Sequence, residues 1–381
     1  MKRECCPVCN CKEKEIFYKR DFTSMGNIVP FSTYFVSQCS RCGFIYAGDI
    51  NEIMPLNDYY NELSKYETEA YALSKLSKKE CSIVTKIVSK FTNIGCSVLD
   101  VGCGNGNLLK ELKKIGYYNL YGIEPSYKNV DYIKKTYQIN NVYTGSVGND
   151  KIPISNKTID LIIMTGVLEH IMELDPFMND CKRYLSDNGY LCISVPDVMQ
   201  FSNDIDLYQQ FSVEHINFFN KVSINNLLMR YGFENVCFDD SLSGEVIGVW
   251  QLKNICAQNN KGNDDGKIAI KNYINECQKL ENDIDYIISK YSDTELYLWG
   301  AGTHTAMLYQ MGTLDKLKIV NIIDSNINYD EKKINGISII KPQDIKTENY
   351  PILISSKWAQ ESILYDIKEK YKLKNKVITL Y

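Results

Sequence analysis

The chain contains no run of about 18 consecutive apolar residues, so no helical bilayer span is expected. A basic excess is missing as well. There are 43 Lys and Arg against 47 Asp and Glu, a formal charge of −4. With no surplus to replace phosphate counterions, general nucleic-acid binding is not expected. The opening MKRECCPVCNCKEKE lacks the apolar core of a signal peptide, which makes the cytoplasm the expected compartment. That compartment keeps thiols reduced, so the 14 cysteines are not read as a disulfide framework. Histidine is scarcest among the catalytic residue types, with three in 381 residues. What is present is globular: 44% hydrophobic and 24% charged residues, over a length that exceeds one ordinary core and implies two or three domains.

Cys81, Cys96, Cys103, Cys181, Cys192, Cys237, Cys256 and Cys277 are scattered singly and read as small core residues. The others crowd the first 42 positions, where Cys6-Pro-Val-Cys9 and Cys39-Ser-Arg-Cys42-Gly43 form two C-x-x-C pairs. Two such knuckles can complete a tetrahedral four-cysteine zinc site, with sulfurs about 3.7 Å apart. Cys5 and Cys11 sit beside the first knuckle as alternatives to Cys6 and Cys9. Four cysteine ligands leave no open coordination position, so Cys6, Cys9, Cys39 and Cys42 are expected to staple the fold. Helices are expected to follow, with Ile83, Ile87, Val88 and Phe91 on one stripe and Tyr59, Tyr60 and Tyr66 as packing residues.

From Ser97, SVLDVGCGNGNLLKELKKIGY reads as an apolar strand, a glycine turn and an amphipathic helix. Gly102, Gly104 and Gly106 permit a tight turn that a ligand can approach at a helix N-terminus. NLYGIEP then ends a second strand at Glu124, where an acidic group can bind two ribose hydroxyls. NAD fits poorly. The spacing is G-x-G-x-G, Asn107 stands where the dinucleotide pattern has glycine, and Asp100 precedes the turn. An acid at that point repels a pyrophosphate and suits the cationic methionine end of S-adenosylmethionine (SAM). Ser146 and Thr165 complete the candidate cofactor set, and a strand over Asp160–Met164, the stretch TGVLEHI, a helix and the strand GYLCISVPD continue the alternation.

LDVGCGNG, YGIEPS and VLEHI resemble successive motifs of class I SAM-dependent methyltransferases. The order of parts resembles the three-part methyltransferases of nucleotide-linked deoxysugars, best known for C-methylation. LYLWGAGTHTAMLYQ, VNIIDSN and ILISSKWAQESI, spread over Glu295–Tyr381, resemble that family's C-terminal motifs. The resemblance implies an α/β protein in three parts: a zinc region over 1–60, a Rossmann-like methyltransferase domain with a helical lead-in over 61–256, and over 257–381 a linker helix and a Rossmann-like substrate-binding domain. Ile274, Cys277, Leu280, Ile284 and Ile287 give that linker helix one apolar face, and NNKGNDDGK precedes it.

The stretch SVEHINFFN resembles the family's catalytic loop, Y-H-E-H-x-x-Y-F-S. Glu214 and His215 fall on its E-H pair, whereas Ser212 and Val213 replace a tyrosine and a histidine. C-methylation needs strong base chemistry at a C–H acid, so this loss favours a nitrogen or oxygen acceptor. There SAM is already activated and the protein has only to align the partners and take one proton. His215 is the expected base, Glu214 and Asp197 accompany it, and Phe218 and Phe219 are packing anchors. His170 is expected to support its loop, and His304 either to hold an anion at a helix start or to close a strand–helix turn. The expected activity is methyl transfer to a small, polar, nucleotide-linked substrate. Sugar C-methylation and a non-catalytic zinc- and SAM-binding assembly module are the alternatives.

Overall fold

The computed structural model describes residues 3–56, 58–59, 75–253, 264–326, 329 and 332–381. Tyr60, Tyr66, Cys256 and most of the NNKGNDDGK stretch lie outside them. No helix among the described residues is long and apolar enough to cross a membrane.

Strands β1 (Lys14–Asp21), β2 (Phe31–Cys39) and β3 (Ile45–Glu52) form an antiparallel meander. The two knuckles flank it, and Gly43 takes φ 73° where the second turns back, with its amide donating to the Cys39 carbonyl.

Next comes α1 (Lys75–Val88), which buries Ile87 and Val88 and half-buries Ile83, as the apolar stripe anticipates. The central sheet contains β4 (Val98–Val101), β5 (Leu120–Glu124), β6 (Val142–Thr144), β7 (Ile159–Thr165) and β8 (Leu185–Pro196). These run parallel in the order β6-β5-β4-β7-β8, so the chain winds outward from β4 in both directions. All four β4 residues are buried, as a strand covered on both faces requires. Helices α2 (Asn107–Lys114), α3 (Tyr127–Tyr137) and α4 (Leu174–Tyr184) make the crossovers. A crevice at the carboxyl end of β4, where the strand order reverses, is where such sheets bind ligands.

The two-residue strand β9 (Asn217–Phe218) leaves this sheet and pairs with β3, Ile45 opposite Phe218 and Tyr46 opposite Asn217. The N-terminal sheet therefore crosses the boundary expected at residue 60. After α5 (Lys221–Arg230), strands β10 (Phe233–Asp239) and β11 (Glu245–Leu252) return antiparallel, with β11 against β8 and β10 outermost.

Helix α6 (Asp265–Ser289) buries Ile274, Cys277 and Ile284 on the anticipated face. It leads to a third sheet containing β12 (Glu295–Trp299) and β13 (Lys318–Ile323), parallel to each other, and α7 (Thr303–Gln310) follows β12 directly. The strand, glycine turn and helix of LYLWGAGTHTAMLYQ thus stand where the motif places them. Of the scattered cysteines, Cys103, Cys181, Cys192 and Cys277 are buried, while Cys81, Cys96 and Cys237 are half-buried.

Candidate active site and cysteine centre

The four knuckle sulfurs converge. Cys6, Cys9, Cys39 and Cys42 offer ligand atoms within 4.8 Å of one another, with Cys6 Sγ 3.6 Å from Cys42 Sγ and Cys9 Sγ 3.4 Å from Cys39 Sγ. These separations suit a tetrahedron of sulfurs about 2.3 Å from one metal ion. Cys11 lies outside this set, its thiol 3.9 Å from the Glu13 carbonyl. Arg230 of α5 donates from Nη1 to the Val8 carbonyl at 2.9 Å and from Nη2 to both carboxylate oxygens of Asp175, tying the first knuckle to the central sheet's helices.

At the carboxyl end of β4 the glycine turn divides its labour. A Cβ on Gly102 would meet Val167 Cγ2 at 2.8 Å, and one on Gly106 would meet Ile133 Cγ1 at 2.7 Å. One on Gly104 would meet nothing within 4 Å, so this position faces open space. All three have positive φ. Glu124 reaches over from β5, where its Oε2 accepts the Gly104 amide and its Oε1 the Ser126 amide. The expected ribose-binding carboxylate thus also braces the turn.

Asp100 is buried, and its Oδ1 has no hydrogen-bond partner in the protein. Burial, together with the neighbouring Glu124 and Glu80, pushes its pKa well above the usual carboxylate range. An orphaned carboxyl beside an open glycine turn suits a ligand that brings its own positive charge. Thr165 ends β7 opposite Ser194 of β8, and Ser146 donates its amide to Asp150 after β6. Thr165 is thus the last residue of β7, and Ser146 follows the end of β6 by two residues.

The wall opposite gathers the expected His170 and His215 with acids, Glu80, Glu169 and Glu245, that the sequence motifs did not single out. Glu80 of α1 accepts from Ser194 Oγ at 2.5 Å. Glu169 is buried and pushed up to about 8 by burial, with Glu80 adding to the rise. Glu245, at the start of β11, is pushed up to about 9 by burial and then by Glu80, Glu169 and Asp197. The only signal for Glu169 was its place before His170 in VLEHI. Glu80 and Glu245 carried none, because their proximity arises from three separate elements.

The SVEHINFFN loop closes this wall. Ile216 donates its amide to the Glu169 carbonyl at 2.8 Å, and Asn217 donates to the carbonyls of Leu168 and Ile171. His170 Nδ1 lies 3.1 Å from the Glu214 carbonyl, and the His170 and His215 rings meet edge to face. Glu214 is buried and accepts from the Tyr59 hydroxyl at 2.9 Å, so its carboxylate supports the loop from beneath. Ser212, standing where the resemblance has a tyrosine, accepts the amides of Glu214 and His215 and shapes the turn. Phe218 and Phe219 are buried anchors, as expected. Asp197 caps the short turn after β8, accepting from the Met199 amide and Gln200 Nε2. The structure thus gives it a structural partner set, while His215 and His170 stand together.

The third histidine lies elsewhere. His304 Nε2 is 2.5 Å from Asp206 Oδ1, both side chains being buried, and the Tyr381 hydroxyl is 3.1 Å from His304 Nδ1. The approach is off the hydrogen-bond direction but close enough for an ion pair. This histidine joins the third sheet to the loop that leads into Ser212, a role neither of its sequence readings foresaw.

A parallel sheet reversing at β4, with an open glycine turn and an orphaned acid at the point of reversal, makes this a Rossmann-like domain. Comparison with known proteins agrees: residues 65–237 match the methyltransferase domain family, and residues 292–378 match the family described as C2185-like, N-terminal. A probable S-adenosylmethionine-dependent methyltransferase of Mycolicibacterium smegmatis is 24% identical over 143 residues, covering 37% of this chain and 52% of that protein. The ubiquinone biosynthesis O-methyltransferase of Rhizobium etli is 26% identical over 102 residues, covering 26% of this chain and 41% of that protein. The chain therefore spans about half, or less, of the length of these curated relatives. A SAM-dependent methyltransferase crystal structure from Aquifex aeolicus is similar at a TM-score of 0.39 and 20% identity, over 48% of this chain and 96% of that one.

Proposed function

We propose that the protein transfers a methyl group from SAM to an oxygen or nitrogen of a small, polar, nucleotide-linked substrate, using His215 as the base, and that a zinc ion at Cys6, Cys9, Cys39 and Cys42 staples the N-terminal sheet. The observation that carries the reading is the pairing of His170 with His215 on the wall facing the glycine turn. Contacts connect the two sides: Gly102 abuts Val167, and two residues on Glu169 receives the Ile216 amide next to His215. The protein's part is to hold the donor on Asp100, Gly104 and Glu124, exclude water, and take one proton at imidazole as the acceptor attacks the methyl carbon. The third sheet, with its Gly300–Gly302 turn, is the substrate-binding part in this reading, and the N-terminal sheet, the methyltransferase domain and this sheet are its three parts.

Sugar C-methylation is favoured by one observation, the Tyr59 hydroxyl on Glu214, which brings a phenol beside the loop that lacks its expected tyrosine. Incubating the protein and SAM with a panel of nucleotide-linked sugars and amines tests both readings. Mass spectrometry should show the gain of one CH2 and NMR should place it on oxygen or nitrogen. A carbon-bound methyl would favour the second reading, and no product across the panel would defeat the substrate class.

A further inference from the structure

The Glu169, His170 and His215 side chains present one carboxylate and two imidazoles whose ligand atoms lie within 4.8 Å of one another. His170 Nε2 is 3.8 Å from Glu169 Oε1. The other ring nitrogen, Nδ1, faces the Glu214 carbonyl at 3.1 Å. A carbonyl can only accept, so in the neutral ring Nδ1 carries the proton and Nε2 keeps its lone pair. That is the arrangement of a metal-ligating histidine, oriented by a backbone carbonyl behind it. Glu169 adds a second, independent pointer, because it is buried and its Oε2 has no hydrogen-bond partner in the protein.

We propose that Glu169, His170 and His215 bind one divalent transition-metal ion, separate from the four-cysteine centre, and that the bound ion silences the base by occupying the imidazole lone pairs. Two histidines and one carboxylate select borderline ions such as Fe2+, Co2+, Ni2+ and Zn2+ over Mg2+ or Ca2+. Ligand atoms about 2.1 Å from one ion lie roughly 3–3.5 Å apart at neighbouring positions, so side-chain rotations of about an ångström close the set. The backbone on either side is already fixed by the Ile216 amide on the Glu169 carbonyl and by Asn217 on Leu168 and Ile171. Glu80 lies within electrostatic reach of Glu169, so the site favours positive charge.

The binding claim is independent of the methyl-transfer reading, and only the loss of turnover rests on it. The test uses the full chain loaded with one equivalent of Zn2+ and then titrated with Co2+. The expected result is a further equivalent of Co2+ with weak visible absorption and none of the intense sulfur charge-transfer bands that cysteine coordination gives. Its affinity should fall at least about tenfold in His170→Asn, which keeps a donor for the Glu214 carbonyl but has no lone pair in place of Nε2, and in Glu169→Gln. SAM affinity and melting temperature, measured on the same samples, separate lost ligation from lost folding. Wild-type turnover should decline over the Co2+ range that fills the site. No further equivalent, or one that both variants bind as the wild type does, overturns the site. Turnover that persists with the site full overturns the silencing. Co2+ binding as described in a protein that never transfers methyl groups would instead defeat the methyl-transfer reading and leave the site standing.

Discussion

The imidazole rings of His170 and His215 meet edge to face with their centroids 4.8 Å apart, although one follows β7 and the other precedes β9. Their meeting depends on the N-terminal sheet, because β9 is held by β3. His215→Ala is expected to lower turnover about 10²–10⁴-fold with SAM affinity nearly unchanged. His215→Gln keeps a hydrogen bond but cannot take a proton at neutral pH, so a comparable loss identifies the base. Steady-state rates beside calorimetric SAM binding check this, and variants that turn over like the wild type would leave His215 a structural residue.

The cofactor face rests on Gly104 and Glu124. Gly104→Val should abolish SAM binding, since the new side chain enters the one part of the turn with open space around it. Glu124→Ala should weaken binding by about 1.5–3 kcal/mol per lost charge-assisted bond, the tethers on Gly104 and Ser126 going with it. Calorimetry reads both, and NAD binding in place of SAM would contradict the assignment.

Cys39→Ser should release the metal from the knuckles and loosen the β1–β3 sheet, leaving the central sheet's secondary structure largely in place. Because β9 pairs with β3, turnover should fall as well, even though none of the four knuckle cysteines belongs to the glycine turn. Metal analysis, circular dichroism and turnover on one preparation check this, and zinc content unchanged from wild type would refute the ligand set.

Glu245 gives a pH dependence with a definite sign. Its folded-state pKa is pushed up from 4.5 to about 9, chiefly by burial. The unfolded chain therefore ionises first as pH rises, and the folded state loses stability between about pH 5 and pH 9 by up to ~1.4 kcal/mol per unit. Glu245→Gln should flatten part of that slope and raise the melting temperature at pH 8–9 relative to wild type. Thermal melts across this range test it; parallel curves for the two proteins would contradict the buried, protonated carboxyl.

His304→Ala leaves Asp206 buried and unpaired, which typically costs about 3–5 kcal/mol. Since the same loop runs on into Ser212, part of the loss should show as a lower turnover. A melt and a rate together check this. An unchanged melting temperature would mean that the pair contributes nothing to the fold.

Local signals were legible where a short segment decides its own conformation. The two C-x-x-C knuckles, the β4 strand with its glycine turn, and the strand–turn–helix around Gly300 each need only neighbouring residues, and the structure has each of them. Amphipathic spacing likewise marked the buried faces of α1 and α6. The sequence also carried Asp100 as an acid before a glycine turn, because strand and turn are contiguous there.

What the tertiary structure decided was convergence. Glu80, Glu169 and Glu245 come from α1, the loop after β7 and the start of β11, and nothing in their local sequence signals a shared wall. Asp197, a base candidate by its place after a strand, caps the turn because the Met199 amide two residues on donates to its carboxylate. Glu214, also a candidate, became a buried support because Tyr59 from the N-terminal part reaches it. A sequence fixes which groups exist and which local turns they favour. Which buried acid meets which distant histidine, and at what pKa, follows only from the packing of separate elements in a low-dielectric interior.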